Sequence, residues 1–89
     1  GAVQAIREAG FKPGTDIKVI TIDATKHAFQ AMVDGDINAV VECNPLLGPL
    51  AFETLKKAIA GEALEKWIVQ KDELFEMAQA AELIGLRKY

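Results

Sequence analysis

Asp23 closes a run of mostly β-branched residues, Ile17-Lys18-Val19-Ile20-Thr21-Ile22, and is the first polar side chain beyond it. In open α/β sheets, ligands sit beyond the carboxyl ends of the strands. A carboxylate there can accept two hydroxyl hydrogen bonds, and charge-assisted bonds of that kind are strong. A residue in that place can equally turn the chain or cap the helix that follows. A second such place is Glu42-Cys43-Asn44-Pro45, after Asn38-Ala39-Val40-Val41. Glu42 and Asn44 are two apart and share one face of an extended segment. A carboxylate and an amide converging on a cleft suit a polyhydroxylated ligand. The competing reading has Asn44 capping the next helix and Glu42 exposed.

The remaining reactive residue types have plainer readings. His27 is the single histidine and falls in the first turn of a helix near Asp23, as a solvated side chain. Metal ligation lacks a second histidine, and no Ser-His-Asp arrangement is present. Cys43 is the single cysteine and lies in the apolar run AVVEC, which predicts a buried, inert thiol. Trp67 could stack on a sugar ring, but beside a strand it reads as core. GFKPG and GPLAFETLKK match neither phosphate-binding glycine pattern, so no nucleotide or other cofactor is expected.

Composition narrows the function classes. The chain is 51% hydrophobic and 26% charged, with a net charge of −3. Those values describe a globular chain rather than a disordered one. Nucleic-acid binding requires a basic stripe, and none is present. No apolar stretch approaches the roughly 20 residues of a membrane span, and Gly1–Gly10 is not a leader sequence.

The elements that would position these residues alternate in period. Ala2, Ala5, Ile6 and Ala9 share a helical face, and Gly10 and Pro13 end that helix. Ile17–Ile22 reads as a strand buried on both faces, which favours a parallel sheet. Thr25 is an N-cap for a helix carrying Ala28, Phe29, Met32 and Val33 inward and stopping at Gly35. Ile37–Cys43 is a second buried strand. A third helix follows from Asn44, with Pro49 in its first turn and Leu47, Leu50, Ala51, Leu55, Ala58 and Ile59 on its apolar face, ending at Gly61. Trp67–Gln70 reads as a third strand, Asp72 as the cap of a last helix through Glu82, and Leu86–Tyr89 as a frayed polar tail. Strands joined by helical crossovers imply right-handed βαβ units, hence an α/β fold with a three-layer α/β/α parallel sheet. The chain opens on a helix whose preceding strand is missing, so a fragment of a larger lobe is expected.

Four segments carry a family resemblance. They are the GAVQAIREAG helix followed by Lys12-Pro13-Gly14, the strand ending in Ile22-Asp23, the helix end Ala31-Met32-Val33-Asp34-Gly35, and Val41-Glu42-Cys43-Asn44-Pro45-Leu46-Leu47-Gly48-Pro49. Together they resemble the C-terminal lobe of type I periplasmic sugar-binding proteins, in the galactofuranose-binding branch near the ribose-binding proteins. The last segment is the specific one; the others are common in the superfamily.

The resemblance implies a two-lobed protein that closes on a sugar and delivers it to the permease of an ABC transporter. It implies that residues 1–89 are the C-terminal part of the C-terminal lobe, with the N-terminal lobe and the start of the C-terminal lobe absent. It places Asp23 where the family hydrogen-bonds sugar hydroxyls. Where ribose-binding relatives carry a glutamine, this chain has Cys43 between Glu42 and Asn44, so ribose-like binding is not implied. The aromatic residues that sandwich the sugar would lie mostly in the missing part, and the isolated chain is not expected to bind sugar tightly. The implied location is the periplasm, or the cell surface as a lipoprotein in a Gram-positive bacterium. The expected function is therefore sugar binding for uptake, not enzymatic catalysis. A ligand-sensing domain of a LacI-type transcription regulator and a stand-alone α/β association module are the alternatives. A bare sheet edge further predicts a homodimer or an assembly with exchanged elements.

Overall fold

The computed structural model describes all 89 residues, Gly1–Tyr89. Four helices are present: α1 (Ala2–Glu8), α2 (Lys26–Val33), α3 (Gly48–Ile59) and α4 (Met77–Leu83). They are interleaved with three short strands, β1 (Ile20–Ile22), β2 (Ala39–Val41) and β3 (Leu74–Glu76), and a 3-10 turn closes the order at Ile84–Leu86. The helix boundaries follow local chemistry. The Thr25 hydroxyl accepts from the Ala28 amide at 3.3 Å and starts α2. Gly10 and Gly35 turn the chain at φ +86°, beyond the ends of α1 and α2.

The sheet runs in the order β1-β2-β3. β1 pairs with β2 in parallel, Thr21 opposite Val40, through the expected α2 crossover. β3 pairs with β2 antiparallel, Phe75 opposite Val40. The third strand is therefore not Trp67–Gln70 but Leu74–Glu76, and the sheet is mixed. Asp72 does not cap the last helix either; α4 starts at Met77, where the Glu76 amide donates to the Gln79 side chain at 3.0 Å.

The core lies on one face of this sheet. Phe29 and Met32 of α2, Val40, Phe75 and Ala80 of α4 are buried there with Ala24 and Ile37. Phe29 and Phe75 meet edge to face, with centroids 5.1 Å apart and planes at 62°, a geometry favoured by the ring quadrupoles. The opposite face carries Ile20, Ile22, Val41 and Leu74, and all four are exposed. The strand expected to be buried on both faces is thus an edge strand, open on one face. The chain supplies one helical layer over that sheet and leaves the other face bare.

A second uncovered surface is the arm formed by α3 and the segment after it. The chain measures 59 × 24 × 17 Å with a radius of gyration of 17.6 Å, against about 12 Å for a compact chain of this length. α3 has no buried residue. Phe52, Leu55 and Ile59 are exposed, and Trp67 is 79% exposed. Trp67 is therefore surface, not core. The α3 stripe is helical in period, as the sequence requires, but most of it stays exposed, with Leu50 half-buried.

Candidate functional site

Both expected site loops leave the carboxyl ends of the parallel strands. Asp23–Thr25 follows β1, and Glu42–Pro45 follows β2. The pairing of β1 with β2 brings them side by side, and the Asp23 amide donates to the Val41 carbonyl at 2.9 Å. A groove of about 340 Å³ opens between them, lined by Asp23, Thr25, Cys43, Asn44, Leu47 and Tyr89. Asp23 and Asn44, far apart in the chain, thus face one cleft.

The backbone at Asp23 is strained. Asp23 has φ +95° and Ala24 φ +46°, the two non-glycine residues in the left-handed half of conformational space. Such strain costs on the order of 1–3 kcal/mol and persists only where the surroundings over-determine it. Here the Asp23 hydrogen bond to β2 and the fully buried Ala24 methyl fix the turn. The consequence is an exposed Asp23 carboxylate at the groove.

Asn44 is fixed on both sides. Its amide N–H donates to Asp72 Oδ1 at 2.9 Å. Its side-chain oxygen accepts from the Leu46 amide at 2.8 Å, an Asx turn that bends the chain toward α3. The N-cap of α3 is Leu47, so Asn44 leads into the helix without capping it. Asp72, expected as a helix cap, instead holds this loop.

Glu42 and Cys43 exchange the environments expected for them. Glu42 is buried, with 8% of its surface exposed, whereas Cys43 is exposed. The cause is strand alternation: Glu42 follows exposed Val41 and turns inward, so Cys43 turns out. The Glu42 carboxylate is not left alone. Arg87 Nη2 donates to its Oε1 at 2.8 Å, and the Tyr89 hydroxyl donates to the same oxygen at 2.5 Å. The Arg87 guanidinium also lies 4.9 Å from the Phe29 ring centre, 5.1 Å from Phe75 and 4.7 Å from Tyr89. The Tyr89 hydrogen bond is the main reason the Glu42 carboxyl is held below its usual range, aided by Arg87 against the opposing effect of burial. Burial first, then the Glu42 contact, raises the Tyr89 hydroxyl above its ordinary value.

Leu86–Tyr89 is thus not a frayed tail. A buried carboxylate needs a counter-charge and hydrogen bonds to offset its lost hydration, and Arg87 and Tyr89 supply both. Neither residue was singled out from sequence. Their partner is more than forty residues away in the chain, and no local pattern marks such a pair. His27, by contrast, is exposed on α2, as read.

No protein-family model matches the chain. Comparison with individual proteins is decisive. The chain is 42% identical over 84 residues to the fructose import binding protein FruE of Bifidobacterium longum, covering 94% of this chain and 25% of that one. It is 40% identical over 89 residues to the galactofuranose-binding protein YtfQ of Escherichia coli, covering 99% of this chain and 28% of that one. The periplasmic binding protein component of the arabinose ABC transporter from Shewanella sp. ANA-3, solved with α- and β-L-arabinofuranose, superposes with a TM-score of 0.86 at 39% identity, over 99% of this chain and 30% of that one. The chain is a homologue of periplasmic sugar-binding proteins. It spans about a quarter of the length of the curated relatives it matches. Within that family frame the mixed sheet is part of an α/β lobe, and the bare sheet face and the α3 arm are surfaces this stretch does not cover by itself. All three relatives are named as binding proteins, two of them for import or an ABC transporter, and none is named as a transcription regulator.

Proposed function

We propose that this chain is part of the sugar-binding component of a bacterial ABC-type uptake system, and that its groove forms one wall of the sugar site. The observation that carries the reading is the meeting of the Asp23–Thr25 and Cys43–Pro45 loops at the carboxyl ends of two parallel strands, with a strained Asp23 presenting its carboxylate. Asp23 would accept hydroxyl hydrogen bonds. Asn44, its side-chain oxygen already taken by Leu46, would offer its amide N–H groups. Glu42 supports the loop from behind through its bond to Tyr89. Two of the relatives' ligands, galactofuranose and arabinofuranose, are furanoses, and they favour a sugar in its five-membered ring form. Binding rather than bond chemistry is the mechanism, with ligand shifting a hinge equilibrium toward a closed state.

The open surfaces fit the same reading. The apolar sheet face and the α3 arm would be covered by the rest of a two-lobed protein, and the closed form would engage a permease in the periplasm, or at the cell surface as a lipoprotein. In isolation, the exposed β1 edge and these faces favour association of this chain with copies of itself.

Calorimetric titration of the protein at the full length of its relatives, with fructose, L-arabinose and D-galactose, tests the assignment. Binding of at least one of them, weakened roughly 100-fold by Asp23→Ala as expected for loss of a charged hydrogen-bonding group, supports it. No binding of any of the three overturns it.

A further inference from the structure

The Arg87–Tyr89 segment joins both site loops at once. The main-chain oxygen of Tyr89 accepts from the Lys26 amide at 2.7 Å, at the start of α2 directly after the Asp23–Thr25 turn. The Tyr89 hydroxyl reaches across to Glu42, at the root of the second loop. The Tyr89 ring lines the groove between them, together with Asp23 and Asn44. Arg87 fixes this course: its guanidinium is held among Phe29, Phe75 and Tyr89 and bonds the same carboxylate oxygen. One residue therefore ties the start of α2 to the end of β2 through main chain on one side and side chain on the other.

We propose that Arg87–Tyr89 is a strap that sets the relative position of the two sugar-contacting loops, with Tyr89 forming a wall of the groove and Arg87 and Glu42 acting as positioning residues. This role rests on the sugar-site reading for its consequence, but its structural content stands independently of any ligand. A planar, stacked guanidinium is required here, because an ammonium would keep the charge and lose the ring contacts. The strap also explains why a carboxylate one residue from the exposed loop is drawn into the interior. Glu42 serves as the anchor onto which the Tyr89 hydroxyl closes.

The test uses the protein at the full length of its relatives and three variants, Tyr89→Phe, Arg87→Lys and Arg87→Met. Tyr89→Phe removes a single hydroxyl and keeps the ring, so it remains folded if the Arg87 variants do not. Hydrogen–deuterium exchange is read at residues 23–26 and 42–46, and affinity is read by titration with L-arabinose and with fructose. In every folded variant, exchange should rise at both loops together, with α1 and α3 unchanged. The dissociation constant of whichever sugar binds should rise roughly tenfold in Tyr89→Phe, the size of one hydrogen bond to a charged group, with the protein still folded and its melting temperature lowered by only a few degrees. Arg87→Lys should fall nearer to Arg87→Met than to wild type. Unchanged exchange at the two loops overturns the strap, as does a rise spread evenly over the chain. Unchanged affinity in a variant whose loops have loosened overturns the positioning role. Should the wild-type protein bind neither sugar while both loops still loosen in the variants, the strap holds and the sugar reading fails.

Discussion

Gly14 lies against the main chain of Gly35. A Cβ on Gly14 would fall inside the van der Waals shell of the Gly35 carbonyl oxygen, and Gly14 itself sits at φ +79°. The contact joins two segments that the sequence presents as separate signatures, the Lys12-Pro13-Gly14 turn and the Ala31–Gly35 helix end. It is sealed by Asn38, whose side-chain amide donates to the Gly14 carbonyl at 2.9 Å while its oxygen accepts from the Val19 amide at 2.8 Å. Gly14→Ala must therefore move backbone as well as adopt a disfavoured φ, and we expect a loss of about 3 kcal/mol. Gly10→Ala shares the positive φ but meets nothing within 4 Å, so about 1 kcal/mol is expected. Paired denaturant titrations of the two variants check the difference; equal losses would show that the Gly14–Gly35 approach is not the constraint.

The strain at Asp23 predicts opposite effects on stability and on binding. Glycine accepts φ +95° without a Cβ penalty, so Asp23→Gly should stabilise the fold by about 1 kcal/mol. The same change removes the carboxylate and should weaken sugar binding by the full-length protein roughly 100-fold, as Asp23→Ala does. Asp23→Asn keeps the turn and loses only the charge, so it should bind weakly at unchanged stability. Melting curves and calorimetry on the two variants read this out, and an Asp23→Gly protein that melts lower than wild type would refute the strain argument.

The Glu42–Tyr89 contact makes stability depend on pH at both ends. The Glu42 carboxyl is lowered from 4.5 in the folded chain. Its contribution is therefore complete above that value and is lost as pH falls through the lower folded value. The Tyr89 hydroxyl is raised from 10.0. Its contribution is complete below that value and is lost as pH rises through the higher folded value. Urea unfolding across the acid and alkaline ranges should show both limbs. Glu42→Gln should flatten the acid limb, and Tyr89→Phe the alkaline one; an acid limb that survives Glu42→Gln unchanged would assign it to other carboxylates.

Trp67 reports on the uncovered arm. It is 79% exposed, so in the 89-residue chain its fluorescence should be water-like and readily quenched by acrylamide. In the full-length protein, where the apolar stripe of α3 would be covered, emission should shift to the blue and quenching should fall. Identical spectra would mean the arm remains free in the longer protein.

How much of this was legible in the sequence varies from element to element. Thr25, Gly10 and Gly35 bound their helices as local chemistry requires, because caps and left-handed turns are satisfied by residues within a few positions. Asp23 and Asn44 were marked by their place after β-branched runs, and the parallel pairing of β1 and β2 brings them to one groove. Period alone, however, cannot say what covers an apolar stripe. Ile17–Ile22 and α3 both read as buried, and both are largely exposed, because burial depends on partners and not on pattern.

Three features were decided only in three dimensions. β3 forms at Leu74–Glu76 because Phe75 there can close over Phe29 and Val40, whereas the equally strand-like Trp67–Gln70 has no strand beside it. Glu42 and Cys43 take inward and outward places by the phase of one strand, which a single residue of slip would reverse. Arg87 and Tyr89 become part of the site because a buried carboxylate far away in the chain requires them. The sequence by itself determined α1, α2 and the strand-end loops, and carried the family resemblance, since these rest on neighbours along the chain. The tertiary structure alone decided the counter-charge of Glu42 and the strap across the groove, because the desolvation of a charge has no meaning until the interior exists.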